Sequence, residues 1–241
     1  MRKHILRTFA ALLAALTLLS AASCNRQIVT PTPSVTPIIT PTAEPSATPS
    51  EPVPSESPPS HTPDDYGILL VNPSHPLANE YVPHDLVNLY SLKNRSYQLM
   101  RADIEIKKIV ADAMQTMFAA AQKDGVDGFY ITSGYRTRRR QIEIWNETTD
   151  GTAALPGTSE HETGLAFDVG SSENSDFEQT PQYRWLVQHC GEYGFILRYP
   201  RGAEDITGYP PESWHYRYVG LPHSQLIMAR GITLEEYLGY A

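Results

Sequence analysis

The sequence predicts an α+β fold in which helices pack on a small, mainly antiparallel sheet. Three observations carry this. From Ile104 to Lys123 the residues Ile106, Ile109, Val110, Ala113, Met114, Met117 and Ala121 recur at helical spacing. Leu165, Phe167 and Val169 alternate with Ala166, Asp168 and Gly170, which is the period of a strand. Short β-rich runs at Phe129–Thr132, Phe195–Tyr199 and Trp214–Val219 supply the remaining strands.

Each element has a local reason. Asp124-Gly125 closes the long helix. Phe129–Thr132 runs as a strand into the loop Ser133-Gly134-Tyr135-Arg136, and a short helix follows over Arg138 to Trp145. The arginines that open it, Arg138, Arg139 and Arg140, read as a solvated run. In the alternating strand Asp168 falls on the smaller, more open face. Thr180-Pro181 is a cap followed by proline at the first helical position, and Tyr183, Leu186, Val187 and Cys190 form one apolar stripe. Pro210-Pro211 sets a rigid turn before a strand that places His215 on one face and Trp214 on the other. Thr233 and Glu236 form a capping box that opens the last helix.

Composition divides the chain in three. Residues 1–24 begin with Arg2, Lys3 and Arg7, continue through an apolar run from Phe9 to Leu19, and end in small residues, the pattern of an export signal. Ala21-Ala22-Ser23-Cys24 resembles a bacterial lipoprotein processing site, in which Cys24 becomes the lipidated first residue. The expected location is therefore extracytoplasmic, anchored to the cell membrane through Cys24, with ordinary cleavage and secretion as the alternative. Residues 25–63 hold eleven of the twenty prolines, interleaved with Ser, Thr and Glu and without an aromatic residue. Such a segment lacks the apolar surface to offset chain entropy and reads as a disordered tether, with a reach on the order of 100 Å. Residues 64–241 make one domain. Cys190 is the only cysteine in it, which excludes an internal disulfide and suits a small core residue. The net charge of −8 argues against nucleic acid as a partner. A monomer is the default expectation.

Two short runs carry the chemistry: Ser159-Glu160-His161-Glu162-Thr163-Gly164-Leu165-Ala166-Phe167-Asp168 and Glu212-Ser213-Trp214-His215. Taken one at a time, His161 reads as a surface histidine, Asp168 as a strand-end aspartate, Trp214 as packing and Glu212 as a solvated carboxylate. Taken together, two imidazoles and one carboxylate make a three-ligand zinc site, with a position left open for water. Glu212, three residues before His215, is then free to act as general base. Arg136 has two readings beside its solvated one. Its guanidinium either stabilises the oxygen that becomes negative during peptide hydrolysis or pairs with a peptide's terminal carboxylate. His75, His84, His189 and His223 are read as structural or exposed.

Ser133-Gly134-Tyr135-Arg136, then Ser159-x-His161-x-x-Gly164-x-Ala166-x-Asp168, then Glu212-Ser213-Trp214-His215, resemble in this order the VanY-type D-alanyl-D-alanine carboxypeptidases, zinc peptidases of bacterial cell-wall peptides. Leu70-Val71-Asn72-Pro73, Leu77 and Tyr81-Val82-Pro83 resemble that family's domain entrance, so the resemblance runs from Leu69 to about Leu221. It implies Zn2+ on His161, Asp168 and His215, Glu212 as base and Arg136 at the transition-state oxygen. It further implies Ser159, Ser133, Tyr135 and Gln141 as groups around the substrate, a peptidoglycan stem peptide that loses its C-terminal D-alanine. An L,D-carboxypeptidase acting on tetrapeptide stems, a peptidoglycan endopeptidase and a non-catalytic wall-binding lipoprotein are the alternatives; the last has no use for Glu212.

Overall fold

The computed structural model describes residues 68–148, 152–172 and 176–241. The export segment, Cys24 and the proline-rich segment lie outside the described residues. Among the described residues no helix is long and apolar enough to cross a membrane.

Strands β1 (Leu86–Asn88), β2 (Gln98–Leu99) and β3 (Glu105–Lys107) precede helix α1 (Lys108–Lys123). After α1 come β4 (Phe129–Ser133), helix α2 (Arg138–Glu147) and β5 (Ala166–Ser171). Helix α3 (Pro181–His189), β6 (Phe195–Tyr199), the single turn α4 (Glu204–Thr207), β7 (Glu212–Tyr218), α5 (His223–Arg230) and α6 (Leu234–Leu238) complete the chain. β1 and β3 pair antiparallel as a ribbon. The other five strands form one sheet in the order β2-β4-β5-β7-β6, parallel at β2–β4 and antiparallel elsewhere. The mixed fold and the mainly antiparallel sheet therefore match the sequence reading.

Register assigns the two faces. Ile131 pairs with Val169 and Phe167 with Tyr216, so these side chains share one face and meet α1. There α1 buries Val110, Ala111, Met114, Met117, Phe118 and Ala121. The Phe118 ring lies 4.7 Å from Phe129 and 6.0 Å from Phe167. On the opposite face Asp168 pairs with His215 and Ala166 with Arg217. Part of this second face is closed by a smaller core of Leu70, Ile196, Val219, Ile227, Leu234 and Leu238. One face of the sheet is thus apolar core and the other carries charge.

Three local expectations are corrected. The helix predicted from Ile104 starts at Lys108, because Ile104 and Ile106 are buried on either side of Glu105 and that stretch pairs with β1. Ile109 is consequently turned outward and is 56% exposed. In α3 the buried residues are Gln182, Trp185 and Leu186, with Val187 only half-buried. Trp185 goes inside because its indole N–H donates to Asp124 Oδ2 at 2.9 Å. Arg138 does not belong to a solvated run. It pairs with Glu162 and donates to the Ala78 carbonyl at 3.3 Å, tying α2 to the entrance segment. The Thr180 and Thr233 caps form as predicted.

Candidate metal centre and active site

The chain reaches the site from four directions. β4 ends in Ser133-Gly134, where the sheet gives way to the loop carrying Tyr135 and Arg136. An added Cβ at Gly134 would collide with the Glu105 carbonyl oxygen, so only glycine lets the two backbones approach. That approach lets Tyr135 N–H donate to Glu105 O at 2.7 Å and Arg136 N–H to His161 O at 3.1 Å. His161 lies in a 3-10 turn, Glu160–Thr163, that ends at Gly164 with φ +68°. A Cβ there would also press on Leu86 at 2.9 Å. Asp168 sits mid-strand on β5, and β7 supplies Glu212 at its first residue and His215 three residues on.

These elements bring three donors together. The potential ligand atoms of His161, Asp168 and His215 all lie within 4.8 Å of one another. His161 Nε2 is 3.2 Å from Asp168 Oδ2, and His215 Nδ1 is 3.0 Å from Asp168 Oδ1. Tetrahedral bonds of about 2.0–2.1 Å to one zinc ion would separate neighbouring donors by about 3.3 Å, close to these spacings. The outward nitrogens are also anchored. His161 Nδ1 is 2.7 Å from Gly134 O, and His215 Nε2 is 3.4 Å from Glu160 Oε2. Outer acceptors of this kind fix the tautomer of metal-ligating histidines and leave the inner nitrogen free to ligate. The residues therefore fit a zinc ion.

The electrostatics suit a cation. Burial opposes charge on Asp168, but His161 and His215 overcome it and hold the carboxyl well below its ordinary range. Burial also works against protonation of His215, yet Asp168 and Glu160 outweigh it and raise that histidine to about 9. The negative surroundings that hold a proton there would also attract a metal ion, which must displace it. Glu212 Oε2 stands 3.7 Å from His215 Nδ1. Burial raises the Glu212 carboxyl above its ordinary value, against the pull of His215. Burial lowers the Arg136 guanidinium, and the negative charges of Asp168 and Glu212 oppose that shift.

A cavity of about 120 Å³ opens onto these groups, and Arg136, Gln141, Ser159, His161, Asp168, Glu212 and His215 all line it. Ser133 and Tyr135 do not. They line a second cavity of about 470 Å³, to which Arg136 also contributes. Gln141, expected among the substrate groups, is fully buried. Its Oε1 accepts from Arg136 Nη1 at 2.8 Å and its Nε2 donates to Ala154 O at 2.6 Å, so it holds the arginine against the cavity wall. Trp214 lines the same cavity and remains 43% exposed. Sequence reasoning missed Tyr199, Tyr209 and Glu160, which also line it. The Tyr199 ring lies 4.9 Å from that of His215, and Tyr209 donates its hydroxyl to Thr158 O at 2.9 Å. Among the expected bystanders, Cys190 is buried and its thiol is pushed up to about 12 by burial, which suits a core residue.

Residues 103–221 match the model of a family described as VanY, D-alanyl-D-alanine carboxypeptidase. The chain is 39% identical over 175 residues to a D-alanyl-D-alanine carboxypeptidase of Enterococcus faecium, covering 72% of this chain and 57% of that protein. It therefore spans just over half the length of that relative. Among solved structures, the LdcB LD-carboxypeptidase is 37% identical with a TM-score of 0.64, covering 71% of this chain and 85% of the other. A vancomycin resistance D,D-pentapeptidase VanY variant in complex with Zn(II) is 34% identical with a TM-score of 0.59, covering 72% of this chain and 99% of the other.

Proposed function

Because the chain belongs to the VanY family of D-alanyl-D-alanine carboxypeptidases, we propose that it removes the C-terminal D-alanine from peptidoglycan stem peptides in a zinc-dependent hydrolysis. The observation that carries this is the convergence of His161, Asp168 and His215 beside an unshared carboxylate, Glu212, and a cation, Arg136, on one cavity. His161 Nε2, an Asp168 oxygen and His215 Nδ1 would hold the zinc, which when bound supplies Lewis-acid activation of water and of the scissile carbonyl.

The chain's own groups do the rest. Glu212 takes a proton from the attacking water and then delivers it to the departing amine, a role its raised affinity for protons favours. Arg136, steadied by Gln141, meets the carbonyl oxygen as it becomes negative. Ser159 lines the same cavity and is proposed to mark the free chain end. Ser133 and Tyr135, which share a second cavity with Arg136, are proposed to meet residues further along the stem. Anchoring through Cys24 outside the cytoplasm belongs to the same proposal and is supported by the N-terminal sequence.

An L,D-carboxypeptidase acting on tetrapeptide stems is the second reading, favoured by the likeness to LdcB. Both readings share the metal centre. The experiment common to them is removal of metal from the full chain with a chelator. Release of D-alanine should fall to background and return on addition of stoichiometric zinc. Release that persists in metal-free protein would end the zinc reading.

A further inference from the structure

Glu160 is wholly buried, one residue before His161, yet it faces the other histidine. Its Oε1 accepts from Arg198 Nε and from Arg217 Nη1, each at 2.7 Å, and its Oε2 lies 3.4 Å from His215 Nε2. Behind it Arg198 donates through Nη1 and Nη2 to Glu235 at 2.9 and 2.6 Å. Glu235 on α6 also accepts from Asn72 Nδ2 at 2.9 Å, and Arg217 Nη2 donates to Leu69 O at 2.6 Å. Two guanidinium groups and two carboxylates thus form a neutral, buried cluster joining His215 to the entrance segment and to the C-terminal helix.

Stability alone does not account for such a cluster. Apolar side chains of similar volume commonly serve a core as well or better than buried ion pairs. What apolar packing cannot supply is an acceptor at His215 Nε2. That acceptor decides which ring nitrogen carries hydrogen and which way the ring is turned. The two arginines hold Oε1, and this geometry leaves Oε2 directed at the imidazole.

We propose that Glu160 is a positioning residue for the metal centre: it fixes the rotation and tautomer of His215 that present Nδ1 to the zinc, and Arg198, Arg217 and Glu235 hold Glu160 in place. This rests on the zinc reading above and extends it to residues behind the metal ligands. It also gives α6 and the Asn72 turn a task, since both are tied to a metal-ligand candidate through this cluster.

The test measures zinc affinity of the full chain by competition with a chelating dye. In Glu160→Gln a single amide oxygen cannot serve both arginines and His215, and its NH2 must face a donor on one side. Zinc affinity should fall by about 10- to 100-fold, and turnover at saturating zinc should fall with little change in KM. Glu235→Gln removes the same charge from the end of the cluster remote from His215. It should lower Tm as Glu160→Gln does but lower zinc affinity far less, because Arg198 Nε and Arg217 Nη1 still hold Glu160 Oε1. Glu160→Asp keeps the charge for the arginines but withdraws the oxygen from His215, so it too should lose zinc affinity, and it serves if the glutamine variant does not fold. Wild-type affinity in both Glu160 variants would overturn the inference, as would an equal loss in Glu235→Gln. A wild-type chain that binds no zinc would instead overturn the metal reading itself, and this inference with it.

Discussion

Glu212→Gln should keep its zinc and lose turnover by a factor on the order of 10² to 10⁴. Glutamine matches glutamate in size, and Glu212 sits at the first residue of β7, where the change leaves the strand pairing with Tyr199 intact. The carboxylate is 25% exposed, lines the cavity and stands 3.7 Å from His215 Nδ1. Those positions suit a group that meets the attacking water and not a fourth protein ligand. Burial also raises its affinity for a proton, which makes it a stronger base than an exposed glutamate. Steady-state kinetics on a peptide ending in D-Ala-D-Ala, run beside metal analysis, checks both halves. Near-normal turnover would remove Glu212 from the reaction, and loss of zinc would make it a ligand.

Arg136→Lys should lower kcat by about 10²-fold with a much smaller rise in KM. The backbone of Arg136 is fixed by its N–H on His161 O, and the guanidinium by Gln141 Oε1, which accepts from Nη1. Arg136 lines the same cavity as Asp168 and Glu212, which brings its charge to the reacting centre. A lysine keeps the charge but loses the planar fork and the hold of Gln141. If Arg136 grips the peptide's terminal carboxylate instead, KM should rise strongly and amidated substrates should lose their handicap in the variant. Unchanged kinetics would exclude both roles.

Much of this site is legible in the sequence because its parts are local. A histidine before a glycine turn, an aspartate on the open face of an alternating strand and a Glu-x-x-His pair at a strand start each carry their geometry with them. Caps are equally local, and Thr180 and Thr233 form as read. What escaped depends on tertiary pairing. β2 is two residues long and β3 three, too short for a strand period to separate from the helix beginning at Lys108. Arg198 and Arg217 look like charges on half-exposed strands, and only the closure of the sheet's second face shows that both are fully buried. Glu160 has no local signal, since its arginine partners lie 38 and 57 residues away. Gln141 reads as a substrate group, and its contacts with Arg136 and Ala154 O come only from the fold.

The most direct measurement is mass spectrometry of the products when the zinc-loaded full chain acts on a stem pentapeptide ending in D-Ala-D-Ala, beside the matching tetrapeptide. The account predicts one free D-alanine and a tetrapeptide from the first, with the second cleaved slowly or left whole. Cleavage of the tetrapeptide alone would give the chain to the L,D reading, and an intact pentapeptide together with an intact tetrapeptide would contradict carboxypeptidase activity altogether.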